Sequence, residues 1–259
     1  MASNGSTHIY AGAGHWVSGG TRHPGGLFRR GPGDGEWQAL RAGLPEHVEA
    51  RALAVHPREP GVMYAGTQDG PYRTTDGGDT WTDLSAPLIK LAENPHLKSR
   101  IGSDIDAEGM LDSHAFAVSA AATGTAFLAV RMGLFRSDDR GASWHDMQIG
   151  RYSPLTYCRD VIVAPHDPRV LYACLSVSAR GNDGSLYRSE DVGQTWRRFD
   201  HGVKARATMM AVAAHPRDPA RVYCVSRCGQ VFGTEDAGAS WREYLLPEGV
   251  QDVYTVACA

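Results

Sequence analysis

Lysine is nearly absent from this chain. Lys90, Lys98 and Lys204 are the only ones in 259 residues, and the net charge is −3. That net charge gives no reason to expect a nucleic-acid binder. No apolar run reaches the roughly 18 residues that a membrane-spanning helix needs, so no membrane partner is expected. The start, MASNGSTHIY, lacks the basic and then apolar segments of a secretory signal. Cysteine is sparse and odd in number: Cys158, Cys174, Cys224, Cys228 and Cys258, with no CxxC pair. That set excludes a disulfide framework and leads us to expect reduced thiols and a cytoplasmic protein.

What is present is repetition. Ser/Thr-x-Asp-x-Gly-x-Ser/Thr-Trp occurs four times, as TTDGGDTW, SDDRGASW, SEDVGQTW and TEDAGASW. The fixed residues are Asp76, Gly78 and Trp81, then Asp139, Gly141 and Trp144, then Asp191, Gly193 and Trp196, and finally Asp236, Gly238 and Trp241. A fifth copy, GPGDGEW, keeps Trp37 and loses the order of the rest. The tryptophans are spaced by 44, 63, 52 and 45 residues. Strand-built periods of this size mark a β-propeller. Each motif follows a short strand (GLFRR, GPYRT, GLFRS, SLYRS, QVFGT) and opens another at its tryptophan. Two further strands precede these, joined by turns such as HPREP and HPRDP, so each unit reads as a four-stranded antiparallel blade. His56 and His215 repeat within those turns and read as structural.

The expected fold is all-β: one propeller domain over residues 1–259, most simply of five blades. The blades are expected at about 8–42 with 252–259, 49–85, 113–148, 158–200 and 207–246, with an insertion at 85–112. The chain starts on a second strand and ends on a first, so the C-terminal strand should complete the N-terminal blade. Within the motif, the aspartate accepts turn amides, the glycine takes positive φ and the tryptophan fills the wedge between sheets. Those are structural tasks.

The four copies resemble Asp-box (BNR) repeats. These occur in sialidases and other glycoside hydrolases, in sortilin-type receptors and in photosystem II assembly factors. The resemblance spans nearly the whole chain and implies a propeller whose boxes lie on the face away from the ligand. The sialidases it resembles carry an Arg-Ile-Pro stretch and six blades. This chain lacks the stretch and counts five, which argues against a true sialidase.

Function is therefore expected at the opposite face. There lie the loops at 14–26, 41–51, 148–160, 176–184 and 200–208, and the long segment 85–112, which reads as an irregular functional loop. Arg51 and Arg159 take equivalent places at the start of inner strands, with His114 in the third. Arg131 and Arg227 are equivalent at the ends of second strands, where the second blade has Gln68. Four arginines converging on one mouth would suit a carboxylate or sugar acid. The alternative is a local carboxylate for each, from Glu49, Asp160, Asp183 and Asp252. Glu49, His114, Asp252 and Tyr254 are the candidate catalytic groups of a glycosidase-like hydrolase or a lyase, with Glu49 and Asp252 as a carboxylate pair. His15, Trp16 and Tyr157 are candidate ligand contacts.

Two metal readings also arise. Asp104, Asp106, Glu108 and Asp112 resemble the first half of a calcium loop, although its twelfth position is Ala115 instead of glutamate. His47, His114 and His201 could hold a transition metal, without motif spacing. Two function classes follow. One is a small-molecule binder or enzyme taking an acidic ligand. The other is a protein-interaction or assembly scaffold. A buried, water-poor mouth with unpaired arginines would support the first; arginines neutralised by neighbouring carboxylates, with a broad exposed apolar patch, would support the second.

Overall fold

The computed structural model describes residues 7–23, 25–33, 35–97 and 108–259. Five antiparallel sheets follow one another along the chain. Blade one holds β1 (Ile9–Ala13), β4 (Gly26–Arg30) and β5 (Gln38–Leu40), with a hairpin of β2 (Trp16–Ser18) and β3 (Thr21–His23) between the first two. Blade two is β6 (Ala50–Val55), β7 (Met63–Thr67), β8 (Gly70–Thr74) and β9 (Thr82–Asp83). Blade three is β10 (Ser113–Val118), β11 (Ala126–Val130), β12 (Gly133–Ser137) and β13 (His145–Asp146). Blade four is β14 (Tyr157–Ala164), β15 (Asp167–Ser176), β16 (Gly184–Ser189) and β17 (Arg197–Arg198). Blade five is β18 (Met209–Ala214), β19 (Val222–Ser226), β20 (Gln230–Thr234) and β21 (Arg242–Leu245). No helix among the described residues is long and apolar enough to cross a membrane.

The core is a set of layers between blades. One layer joins blades one and two around Leu27, Met63 and Trp81. The next joins two and three around Tyr64, Leu128 and Trp144. Two more join three to four and four to five. Neither face of a single blade could be covered without its neighbours.

The Asp boxes build these layers. In blade two, Thr80 donates its backbone N–H and its hydroxyl to Asp76, at 3.0 and 2.6 Å. Gly78 N–H donates to the Thr74 hydroxyl at 3.0 Å, and Trp81 Nε1–H to the Gly78 carbonyl at 3.1 Å. Blades three to five repeat the aspartate clasp. These bonds hold the Asp76 and Asp139 carboxyls below the usual range, and that of Asp236 down to about 2. Two consecutive residues of each box are left-handed: Gly77, Arg140, Val192 and Ala237 have φ of 74, 62, 59 and 58°, and the glycine follows. That turned backbone serves the preceding blade. Arg29 donates to the Gly77 carbonyl at 3.0 Å, Arg73 to that of Arg140 at 2.8 Å and Arg136 to that of Val192 at 2.8 Å. The box glycine leaves room for an outer-strand side chain of the same preceding blade: a Cβ on Gly141 would sit 2.5 Å from Leu84 Cδ1. Leu40 faces Gly78 and Phe199 faces Gly238 in the same way.

The seam from blade five to blade one lacks this device. Gly233 stands where the latching arginine should be, Tyr244 is half-exposed, and Trp37 of the degenerate box is 45% exposed. Sequence equivalence assigns residues 252–259 to the innermost position of blade one. They do line the centre, with Val253 and Val256 packed on Met210, Ala211 and Val225. They form no ladder with β1, however, so the first sheet has three strands. Arg227 explains the offset: its carbonyl accepts Val253 N–H at 3.2 Å and its guanidinium holds Asp252, tying the segment to blade five.

The described parts of two expected loops carry regular structure. The 14–26 segment contains the β2–β3 hairpin. The 85–112 segment contains helices α1 (Ser85–Leu91) and α2 (Glu108–Leu111), and buries Leu88, Leu97, Met110 and Leu111 in the layer between blades two and three. It is a packed insertion, because its apolar residues find a groove to fill. The HPR turns are structural: His56 Nδ1 accepts the N–H groups of Arg58 and Glu59 at 3.2 and 3.0 Å, and His215 does likewise for Arg217 and Asp218.

The left-handed pair gives a clear expectation. Ala237 is exposed and pays about 1 kcal/mol for its backbone angle. Ala237→Gly should therefore raise Tm by roughly 2–4 °C, while Gly238→Ala, next to the Phe199 ring, should lower it by more. Thermal unfolding followed by circular dichroism checks both.

Candidate binding site at the propeller mouth

The innermost strands of blades two to five share one irregularity. Register slips between Ala50 and Ala52, between Ser113 and Ala115, between Cys158 and Asp160, and between Met209 and Ala211. A β-bulge leaves its extra residue unpaired and re-aims the side chain. The bulged residues are Arg51, His114, Arg159 and Met210. All four line one central cavity of about 360 Å³, and Tyr254 supplies the fifth position. The equivalence of Arg51, His114 and Arg159 is legible in the sequence. Met210 and the bulge itself are not, because nothing in the residue types announces a slipped register.

The four arginines do not converge on this cavity. Arg51 and Arg159 line it. Arg131 lies in a separate cleft beside His96, Asp146 and Arg151, and Arg227 in a third beside Arg180, Cys228 and Asp252. The cause is strand geometry: ends of second strands lie one strand farther from the axis than the bulges.

Three of the four are also neutralised within the fold. Asp112 is the hub. It accepts Arg51, Arg131 at 2.9 Å and His114 at 3.3 Å. Arg131 donates as well to Glu108 at 2.6 Å, and Arg51 lies 3.7 Å from Glu49. Arg227 donates to Asp252 at 2.9 Å and to the Tyr254 hydroxyl at 3.2 Å. Burial pushes the Asp112 carboxyl up, but His114, Arg51 and Arg131 outweigh it and hold it well below the carboxylate range. Arg159 differs. It forms no ion pair within 4 Å among the described residues, and it interacts with the Tyr157 side chain and with the charge of the adjacent Asp160. The Tyr157 hydroxyl, pushed up by burial, also meets His114 Nε2 at 3.3 Å. His114 Nδ1 donates to the Cys158 carbonyl at 2.8 Å.

The expected catalytic and metal groups fare differently. Glu49 pairs with His15, and Asp252 with Arg227, so the two carboxylates are committed to different partners. Trp16 lies in β2, opposite His23. Glu108 and Asp112, read as calcium ligands, are engaged with arginines, while Asp104 and Asp106 lie outside the described residues. His47 and His201 are exposed and His114 is buried, and no cluster of three metal-ligating side chains occurs among the described residues. Sequence reasoning also missed the latch arginines Arg29, Arg73 and Arg136. Their signal was present, an arginine at the fourth position of the strand that leads into each box, in GLFRR, GPYRT and GLFRS.

One carboxylate on the cavity wall behaves in the opposite sense to Asp112. Asp160 accepts Val212 N–H from β18 at 3.0 Å, and burial pushes its carboxyl up to about 6. A raised pKa means that the fold favours the protonated form. Its stabilising contribution is full below the unfolded value near 4 and is lost as pH rises through 6. For Asp112 the contribution is present above the unfolded value and is lost as pH falls towards its depressed one. Hence Asp160→Asn, which keeps an acceptor for Val212, should raise Tm by roughly 2–6 °C at pH 7.5 and change little below pH 4. Asp112→Ala should cost about 3 kcal/mol at pH 7.5, since it strands buried cations. Thermal melts of both variants across pH 3–8 check the two signs.

Comparisons with known proteins agree with this architecture. The Sortilin-Vps10 family pattern (sortilin, neurotensin receptor 3) matches residues 184–257, from the third strand of blade four onward. Vacuolar protein sorting/targeting protein 10 of Mycosarcoma maydis is 35% identical over 65 residues, which is 25% of this chain. Its counterpart in Ajellomyces capsulatus is 35% identical over 67 residues, or 26% of this chain. The chain spans about 4% of the length of these relatives. Among solved structures it is similar to the GH74 xyloglucanase of Xanthomonas campestris, with TM-score 0.63 and 18% identity over 92% of this chain and 36% of that one. The propeller in a nidogen/laminin complex gives 0.61 and 13% over 98% and 82%, and YCF48 of Cyanidioschyzon merolae 0.54 and 14% over 80% and 60%. At such identities the likeness is one of fold. Four boxes, five sheets around one axis and these likenesses make the chain an Asp-box β-propeller.

Proposed function

We propose that this propeller is a non-catalytic binding module that receives a protein partner at its mouth, with an acidic group of the partner meeting Arg159. The observation that carries this reading is the charge balance of the mouth. Arg51, Arg131 and Arg227 are each bonded to a carboxylate of the chain, and Glu49 and Asp252 are bonded in turn. Such committed carboxylates are poor general acids, because each proton would have to displace an ion pair. Arg159 keeps donors to offer, and its neighbours Met210 and Tyr254 add apolar surface beside it. A charged anchor flanked by apolar groups suits a folded chain or a peptide better than a bare ion.

The comparisons lend support of a general kind. The nidogen propeller is in complex with laminin, and the Vps10 proteins are named for sorting and targeting. A free small acid is the second reading, favoured by the central cavity of about 360 Å³, which lies at the lower end of small-molecule sites.

A thermal-shift and calorimetry panel separates the classes. Short acidic peptides and simple carboxylates should raise Tm at millimolar concentration, by the amount that native-state binding requires. The rise should vanish in Arg159→Ala and persist in Arg227→Ala. Aryl glycosides should not turn over. Turnover that Glu49→Gln abolishes would contradict the binding reading and restore a hydrolase.

A further inference from the structure

Arg159 and Asp160 are consecutive, and the bulge in β14 brings both to the wall of the central cavity. Two consecutive strand residues ordinarily point to opposite faces. Here the slip between Cys158 and Asp160 overrides that alternation, so a cation and a carboxylate share one opening. Asp160 is anchored by the Val212 N–H of the neighbouring blade, a bond that a neutral carboxyl oxygen still accepts, though more weakly than an ionised one. Its proton can therefore come and go without breaking the wall.

We propose that protonation of Asp160 regulates the mouth: the protonated site binds a carboxylate at Arg159 more tightly, and the ionised site more weakly. This rests on the mouth reading above. The physical cause is direct. Ionised Asp160 is the negative charge next to Arg159, and it both offsets the guanidinium and repels an incoming carboxylate. Protonated, it does neither. By linkage, a bound carboxylate must raise the proton affinity of Asp160 by the factor by which the proton raises ligand affinity.

The groups facing Asp160 come from its own strand, from its neighbours and from the cavity wall. Arg159 on its own strand stays charged at any working pH. Cys158 on β14 and Cys174 on β15 have thiols pushed up by burial, so both remain neutral. β18 offers the Val212 amide. Across the cavity stand Arg51, His114 and Tyr254. Arg51 is held by Asp112, and His114 faces Asp112 and Tyr157. The carboxyl of Asp160, pushed up to about 6 by burial, lies in the range where modest acidification changes its state.

Calorimetric titration of the full chain with succinate at pH 5.0 and pH 7.5 tests this, in wild type and in Asp160→Asn. Wild type should bind roughly tenfold more weakly at pH 7.5, the effect of about one pKa unit of coupling. Asp160→Asn should bind with the tighter affinity at both values. Equal pH dependence in the two proteins would assign the effect to another group and overturn the inference. Binding that is pH-independent in wild type would overturn it too, and would leave the mouth reading standing. Succinate binding at neither pH, in either protein, would sink the mouth reading and this inference together.

Discussion

A left-handed backbone step inside each Asp box is the feature on which the ring depends. Arg140, Val192 and Ala237 take positive φ where a side chain disfavours it, and the glycine that follows continues the turn. The strain yields an outward carbonyl and a bare glycine face. An arginine of the preceding blade takes the carbonyl in three cases, and an outer-strand side chain fills the hollow above the glycine. Asp76 and its counterparts clamp the turn from within. The box thus acts between blades as well as within one, which is why the core is layered. The seam differs in sequence: Gly233 replaces the arginine and the stretch before Trp37 departs from the box pattern, and the closing segment forms no ladder with β1.

The inner edge follows a second regularity. Four bulges at one register position lift one residue per blade into the mouth. The ladder tolerates any side chain there, so the position can hold Arg51, His114, Arg159 or Met210 without cost to the sheet. The insertion at 85–112 then sets the charge of that mouth. Met110 and Leu111 anchor α2 in the interblade layer, and Asp112 at its end reaches Arg51, Arg131 and His114. A segment that looks like a detached loop in sequence is what neutralises half of the arginine set.

The fold was legible because its determinants are local and repeated. The box residues, the strand alternation and the turn prolines recur in each unit, so one correct reading is confirmed by the next. The mouth was legible only in part. Equivalent positions could be aligned, which placed Arg51, His114 and Arg159 together. Which carboxylate answers which arginine depends on contacts across blades, and no spacing encodes them. Asp252 was a foreseeable partner for Arg227 because both ends of that contact sit at aligned positions. Asp112 was not foreseeable for Arg51, since it arrives from an insertion with no counterpart in the other blades.

The central claim is that Arg159 alone, among the four candidate arginines, is available to an outside carboxylate. The most direct test follows the Nε–H signals of Arg51, Arg131, Arg159 and Arg227 by nuclear magnetic resonance during an acetate titration at pH 5.5. The account predicts a saturable shift at Arg159, with the signals of Arg51, Arg131 and Arg227 still, because those guanidinium groups are already paired with Asp112, Glu108 and Asp252. Equal shifts at all four, or shifts at Arg51 and Arg131 with none at Arg159, would contradict it.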